Sequence, residues 1–430
     1  MFPPKHSRIL VAMSGGVDSA VTAALLTEQG YTCFGVTLRL VPDQGGKSVF
    51  EPCCGLEAAQ DAKRVCDKLG IAHEVLHAVD RFDRDIIAYF VEEYREGRTP
   101  NPCVRCNRMI KFGALYQRAN ELGADYVAMG HYARLEPYGE RVALRRAVHR
   151  EKDQSYVLAP LTQRQLRRAL FPLGHLTKDQ VRERAWPLDF AMATKRESQE
   201  ICFVPDRDYA GFIEGRTGAG QPGPILSVRG ERLGTHRGLL HYTLGQRRGL
   251  GIAAEQPYYV VKLDTARNAV VVGHEDDTYW ETFRTGMIAW GGLPLQSAPF
   301  ECRVQLRSRH TPAPATVTPT RHGAEVSLHQ PERSVTPGQW AVFYDDAGYV
   351  LGAATIKGNA ERGTRNEDKS DLCELQSSPR LKLPPMFSDY VQLPELGLCE
   401  PRWGMGNERL SAMPEFHSPC TSFSGGFYGF

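Results

Sequence analysis

What this 430-residue sequence lacks narrows its role first. It has no apolar run approaching the about 20 residues that a membrane-spanning helix needs, so no membrane role is expected. It has no bulk charge: 52 Lys and Arg against 50 Asp and Glu leave only +2. It has no room before its first strand for an apolar signal core or an Arg-rich transit helix, because residues 1–6 run straight into it; a cytosolic, cytoplasmic location is expected. It has no disulfide-like cysteine pattern either. Eleven Cys is an odd number at uneven spacing, which reads as thiols or metal ligands. With 42% hydrophobic and 24% charged residues, the length suits two or three soluble globular domains.

What is present begins at Val11-Ala12-Met13-Ser14-Gly15-Gly16-Val17-Asp18-Ser19. Residues 8–13 read as a short buried strand, and 18 onward as a helix stopped by Gly30. Between them the glycine pair can take conformations closed to other residues and turn backbone amides toward an anion, with the helix N-terminus behind. Ser14 and Ser19 offer hydroxyl donors. Asp18, on a solvent-facing turn, suits Mg2+ or a helix cap better than phosphate. The string resembles the pyrophosphatase loop of ATP-dependent adenylating enzymes and lacks the Lys of a Walker loop, so ATP is the expected ligand; a structural glycine turn is the plainer reading.

Strand and helix alternate through the first two hundred residues. Strands are expected at 31–38, 72–77 and 126–130, and helices at 57–69, 80–96 and 112–122. The pattern predicts a doubly wound α/β parallel sheet with Ser14, Ser19, Leu38 and Gly130 around one crevice at the strands' carboxyl ends. Beyond about Asp208 short apolar runs spaced by turns predict β-rich domains ending in a small barrel. The expected divisions are 1–208, 209–275 and 276–356, followed by a poorly ordered tail over 357–430, which is rich in Pro, Ser and Gly. Charge is uneven: residues 141–250 carry 20 Lys and Arg against 11 Asp and Glu, which leaves the remainder of the chain at −7. Such a region suits a phosphate backbone, or else reflects solvated helix surfaces around Arg164, Arg167, Arg168, Arg182 and Arg184.

Two further stretches carry chemistry. Gly97-Arg98-Thr99-Pro100-Asn101-Pro102-Cys103-Val104-Arg105-Cys106-Asn107 reads as a stiff loop between helices with exposed cysteines, and Arg98, Arg105 and Arg108 around them favour the thiolate. Asn101 and Asn107 add amides able to read a base edge. The competing reading is a zinc knuckle completed by Cys53, Cys54, Cys66 or Cys202. Cys202 lies where a charged run, 195–200, meets an apolar one, a place for a half-exposed thiol at a cleft rim or for a buried core cysteine.

Seven ordered motifs, Ser14-Gly15-Gly16-Val17-Asp18-Ser19, Gly97 to Asn107 with Ile110-Lys111-Phe112, Gly130-His131-Tyr132-Ala133-Arg134, Lys152-Asp153-Gln154-Ser155-Tyr156, Phe171-Pro172-Leu173-Gly174, Ile201-Cys202-Phe203 and Tyr242-Thr243-Leu244-Gly245-Gln246-Arg247, resemble the tRNA-specific 2-thiouridylase family over about 8–356. The resemblance implies an adenine-nucleotide α-hydrolase-like, PP-loop ATPase domain, a central tRNA-binding domain and a C-terminal barrel. It implies ATP-dependent sulfuration of C2 of the wobble uridine, U34, in tRNA, with Mg2+ and a persulfide sulfur donor, either a cysteine desulfurase or a relay protein. By position it implies Ala12, Met13, Ser14, Gly15, Gly16, Val17, Asp18, Ser19, Leu38 and Gly130 at ATP, and Asn101, Pro102 and Cys103 at the target base. His131, Lys152, Asp153, Gln154, Arg307, Ser308 and Gln339 would meet tRNA, and Cys106 and Cys202 would handle sulfur. Cys103 stands where the family usually has Asp, which raises a [4Fe-4S] cluster on Cys103, Cys106 and Cys202 as an alternative to the persulfide route. Ser308 follows Arg307 where the family commonly has Tyr, and the tail has no counterpart in the family. Rival readings are an adenylating ligase or amidotransferase for a small molecule, which needs no loop thiols, and an Fe-S RNA-binding module, which needs no glycine loop.

Overall fold

The structure, a computed structural model, describes residues 3–41, 56–188, 201–204 and 208–359. Cys53, Cys54, the run 195–200 and the tail beyond Asn359 lie outside the described residues.

Ile9, Leu10 and Val11 are buried on both faces of β1 (Arg8–Ala12), as a central strand of a covered parallel sheet requires. Around it stand β2 (Thr32–Arg39), β3 (Ala72–His77), β4 (Tyr126–Ala128) and β7 (Ala169–Leu170), in the order β3-β2-β1-β4-β7 and all parallel. The order turns back between β1 and β4, which opens the ligand crevice of this architecture at their carboxyl ends. There the glycine loop leaves β1 and Gly130 follows β4. Helices α1 (Val17–Glu28) and α2 (Leu56–Leu69) cover one face with an apolar cluster built on Val21, Leu26, Val65 and Cys66.

The helix expected over 80–96 is Val79–Phe82 and Ala88–Arg95 joined by a π-helical turn, Asp83–Ile87. One extra residue per turn leaves apolar spacing nearly unchanged, so sequence periodicity cannot reveal it. A hairpin of β5 (Ala133–Tyr138) and β6 (Arg141–Arg146), absent from the sequence reading, projects beyond the sheet. Its signal was present in buried Leu135, Val142 and Leu144 alternating about the turn at Gly139.

After helix Tyr209–Thr217 the chain is β-rich. Strands β8 (Gly223–Ser227), β9 (Arg232–His236), β10 (Tyr259–Asp264) and β11 (Ala269–Gly273) form one sheet in the order β10-β11-β8-β9. Strands β12 (Tyr279–Thr285), β13 (Phe300–Gln305), β14 (Ala313–Thr320), β15 (Gly323–Arg333), β16 (Trp340–Tyr344) and β17 (Val350–Asn359) close into a barrel, β12-β15-β14-β13-β16-β17. Closure leaves no open edge, and Phe283, Val304, Val317, Val326, Phe343 and Ile356 fill it. The last strand passes the expected end at 356, because Gly358 and Asn359 pair with Arg284 and Phe283.

The barrel is fixed against the parallel-sheet region. Val342, Tyr344, Val350 and Ala353 share one apolar cluster with Phe112, Tyr156 and Phe171. Tyr156 donates to the Trp340 carbonyl at 2.9 Å, and the Ser155 and Tyr344 hydroxyls pair at 3.0 Å.

Candidate active site

The glycine loop starts where β1 ends: the Met13 amide still pairs with the Val36 carbonyl at 2.9 Å, and Gly15 then turns the chain with φ +68°. A side chain at Gly15 would overlap the Ala58 carbonyl in the first turn of α2, so close approach and positive φ both demand glycine. Gly16 is the N-cap of α1 and supplies no side-chain cap, which leaves the helix's first amides for a ligand. Ser19 serves the loop itself, accepting from the Ser14 amide (3.2 Å) and donating to the Gly16 carbonyl (2.9 Å). Its hydroxyl thus braces the loop in this arrangement.

Asp18 is not on an open turn. Its Oδ1 accepts from Lys178 Nζ at 2.7 Å and from the Tyr132 hydroxyl at 2.8 Å. Lys178 is 5% exposed, and the Asp18 side chain 31%. Gly130 lets this happen: a Cβ there would lie 2.8 Å from the Asp18 backbone carbon. Behind it Gln154 clamps Tyr132, accepting from its amide through Oε1 (2.9 Å) and donating its own amide to the Tyr132 carbonyl (2.8 Å). The Lys178 amide meets His149 Nδ1 at 3.0 Å. Lys178 and Tyr132 are the site residues the sequence reading missed. A faint signal existed: Lys178 occupies the first turn of a Thr177-capped helix, where a cation opposes the helix dipole and therefore needs a compensating anion.

The stretch expected as a stiff loop is helical from Pro102 on. Asn101 Oδ1 accepts from the Val104 amide (3.4 Å) and Pro102 takes the first helical position, so Pro102–Cys106 is a helix that runs on through a π-helical turn, Asn107–Lys111, into Phe112–Glu121. Cys103 is exposed, but Cys106 is 7% exposed and belongs to an apolar cluster with Phe82, Phe90, Ile110 and Phe203. Cys202 is half-buried against that same cluster, and Phe203, edge-on to Phe90 at 5.2 Å, anchors its segment there. The structure therefore brings Cys106 and Cys202 to one cluster and leaves Cys103 facing solvent. Leu38, at the carboxyl end of β2, packs on it too.

Two of the three arginines expected around the thiols have partners of their own. Arg98 forms a fork with Glu93 (2.7 and 2.8 Å) and also pairs with Glu96. Arg105 donates to the Asp85 carbonyl at 2.7 Å and lies 4.4 Å over the Tyr89 ring. In return Arg81 donates to the Met109 carbonyl at 3.1 Å, so each π-helical turn has a carbonyl satisfied by an arginine from the other segment. Among the described residues no three His, Cys, Asp or Glu side chains gather as a metal site. Cys103 is exposed and Cys106 sits in an apolar cluster, which does not present the described thiols as one iron–sulfur ligand set; Cys53 and Cys54 of the expected zinc knuckle lie outside the described residues. Cys66 is fully buried in the apolar cluster beneath α1 and α2, and burial pushes its thiol up to about 12.

The residues expected at tRNA divide. Arg307 and Ser308 are exposed, their carbonyls held by Gln305 Nε2 at 3.1 and 2.9 Å. Lys152 is half-buried. Asp153 is an internal hub, accepting from Arg146 Nε, the Ala147 amide and the Ser155 hydroxyl, each at 2.9 Å. Gln154 braces Tyr132 as described, and Gln339 Nε2 donates to the Thr99 carbonyl at 2.8 Å, docking the barrel on the segment that leads to Asn101. His131 is buried, and desolvation, then the nearby Lys111 charge, hold it well below the usual histidine range. Part of the basic surplus is paired within the fold, since Arg145 meets Glu136, Arg146 meets Asp153 and Arg168 meets the Asp125 carbonyl, while Arg164, Arg167, Arg182 and Arg184 are exposed. Charge counting cannot see this pairing.

Comparison with known proteins follows the same three-part division. Family models match residues 7–206 (tRNA methyl transferase HUP domain), 210–274 (tRNA methyl transferase PRC-barrel domain) and 280–356 (aminomethyltransferase beta-barrel domain). The tRNA-specific 2-thiouridylase MnmA of Heliobacterium modesticaldum is 47% identical over 359 residues, 82% of this chain and 93% of that protein. The protein of the same name from Pelotomaculum thermopropionicum is 46% identical over 362 residues, 83% of this chain and 99% of that protein. Among solved structures, a 4-thiouridine synthetase–RNA complex with bound ATP aligns over 46% of each chain at 16% identity and TM-score 0.31, too slight a likeness to argue from. Identity at this level over four-fifths of the chain decides membership: the chain belongs to the tRNA-specific 2-thiouridylase family.

Proposed function

We propose that this protein is a tRNA-uridine 2-sulfurtransferase that uses ATP to convert the wobble uridine, U34, of tRNA to 2-thiouridine. The observation that carries the reading is that the glycine loop leaves the carboxyl end of β1 while Leu38, at the carboxyl end of its parallel neighbour β2, packs on the cluster that holds Cys106 and Cys202. Methyl transfer, the activity in the family models' descriptions, needs neither feature.

The C2 carbonyl of uracil is a weak electrophile with no leaving group. ATP supplies one: O2 attacks the α-phosphorus, the N3 proton passes to water, and pyrophosphate departs into the loop formed by Ala12, Met13, Ser14, Gly15, Gly16, Val17, Asp18 and Ser19. Mg2+ bound with the triphosphate would offset phosphate charge, and Asp18 is the loop's carboxylate for it. Lys178 holds that carboxylate in place. Sulfur arrives as a Cys202 persulfide from a desulfurase or relay protein. The Cys106 thiolate attacks the inner sulfur, a Cys106–Cys202 disulfide forms, and hydrosulfide leaves; it adds to C2 and expels AMP. A cellular thiol reductant then restores both cysteines. The base must leave the anticodon stack to be reached, and single-stranded loops permit that. Arg307 and Ser308, exposed after β13, and half-buried Lys152 would meet the RNA backbone, and the protein would work where tRNA is, in the cytoplasm. The working division is a catalytic part to 208, a central part over 209–275 and a barrel from 276.

Nucleoside mass spectrometry of tRNA from cells lacking the gene tests the reading. Loss of 2-thiouridine, restored by wild type and not by Cys106→Ser or Cys202→Ser, is expected; unchanged 2-thiouridine would refute it.

A further inference from the structure

Of the two loop asparagines, one is committed and one is not. Asn101 caps the helix that follows it. Asn107, directly after Cys106, is 2% exposed; its Nδ2 donates to the Val157 carbonyl at 3.2 Å, while its Oδ1 is buried with no hydrogen-bond partner among the described residues. The amide's orientation is fixed, because a flip would set Oδ1 against the Val157 carbonyl, acceptor facing acceptor. The unsatisfied side of Asn107 can therefore only accept. Leaving such an atom unpaired in a protein interior is costly, and native structures seldom do so without a partner that arrives later. Asn107 also opens the π-helical turn Asn107–Lys111, an irregularity concentrated at functional sites. A second buried polar atom with no hydrogen-bond partner among the described residues is His131 Nδ1; its ring meets Phe171 edge-on at 5.9 Å, and Phe171 meets Phe112, the residue after the turn, at 6.0 Å.

We propose that Asn107 Oδ1 accepts the N3–H of the target uracil and is the group that tells uridine from cytidine at the wobble position. The proposal rests on the 2-thiolation reading above. A uracil joined to ribose through N1 has one ring donor left, N3–H, beside the reacting C2 carbonyl. Cytosine carries a lone pair at that atom, and two acceptors then face each other out of water. A site built around a hydrogen bond rejects the analogue that lacks it far more strongly than an apolar pocket rejects a size change. The hydrogen bond acts when the base binds, before O2 attacks ATP and N3 gives up its proton. Asn107 follows Cys106 in the same helical segment, although its side chain turns to Val157 and that of Cys106 to the Phe82 and Phe90 cluster.

The test is a cycle between one protein atom and one base atom. Anticodon stem-loops carrying uridine, 3-methyluridine or cytidine at the wobble position are titrated, in the presence of a non-hydrolysable ATP analogue, against wild type and Asn107→Leu. Asn107→Ser replaces the leucine variant if that does not fold, and nucleotide affinity monitors the fold. Wild type is expected to prefer uridine by about tenfold or more over either alternative. The variant is expected to bind all three with one weakened affinity. Retained preference in the variant, multiplied losses from variant and methyl group, or no preference in wild type would each overturn the assignment; the second is what a trapped water on Oδ1 would give. A wild type that thiolates uridine while Asn107→Leu thiolates it equally well refutes only this inference. A wild type that thiolates no tRNA refutes the function itself.

Discussion

Replacing Asp18 should damage the fold as well as the chemistry, and the size of that damage can be worked out. The Lys178 ammonium is 5% exposed and has the Asp18 carboxylate at 2.7 Å. Removing one partner of a buried pair typically costs about 3–5 kcal/mol, because the survivor is a charge without water. The Asp18 side chain is 31% exposed, so solvent already screens part of the pair and about 2–3 kcal/mol is the fitting figure. For a cooperative unit of roughly 200 residues that corresponds to about 5–10 °C in melting temperature. Asp18→Asn tests this best, since it keeps an acceptor for the Tyr132 hydroxyl and removes only charge. Lys178→Met deletes the costly ion and leaves a carboxylate that water can reach, so its loss should be about 1 kcal/mol or less. The double variant should recover most of the stability that Asp18→Asn loses, with a coupling of about 1–3 kcal/mol, yet remain inactive. Thermal and urea unfolding read the first result and a thiolation assay the second. Asp18→Asn melting within about 1 °C of wild type, or strictly additive losses, would refute the argument.

Other consequences are equally direct. Gly15→Ala should cost about 2–4 kcal/mol from the positive φ and the clash with Ala58, and should abolish nucleotide binding by calorimetry. Cys106→Ser and Cys202→Ser should each lower single-turnover thiolation at least about a thousandfold, whereas Cys103→Asp, at an exposed position, should stay within about tenfold; dependence on Cys103 together with bound iron would favour a cluster. Burial keeps His131 neutral with its folded pKa well below the usual 6.5, so its contribution to stability is complete above that value and is lost as pH falls from there toward the lower folded pKa. His131→Gln should therefore flatten the fall in stability below pH 6.5, by at most about 1.4 kcal/mol per pH unit. Deleting 360–430 should leave the melting temperature within about 2 °C, while deletion from 357 removes the pairing of Gly358 and Asn359 with β12 and should cost measurably more.

The parallel sheet was legible because its strands are short apolar runs bounded by Gly30, Gly70 and Gly123, and the barrel because its strands alternate and are spaced by turns. The glycine loop was legible because its chemistry is local, with strand, turn and helix inside twenty residues. What escaped is mostly long-range. Nothing near Lys178 in sequence points to Asp18, and nothing near Gln339 points to Thr99. Asp153 was expected at tRNA from its position in the family motif; only the fold reveals the four internal donors it also accepts from. One miss was local. Pro102 after Asn101 was taken as a loop marker, although an Asn cap followed by Pro at the first position also begins a helix. That error carried Cys106 to the surface, and the helix returns it to the core.

Reconstitution tests the central claim most directly. Purified protein, ATP with Mg2+, unmodified tRNA and a persulfide-loaded donor are combined, and the tRNA is digested and analysed by nucleoside mass spectrometry. One 2-thiouridine per tRNA is predicted, at position 34, with one AMP and one pyrophosphate released for each. Thiolation without ATP, ATP cleavage to ADP, or a tRNA that gains a methyl group in place of sulfur would contradict the account.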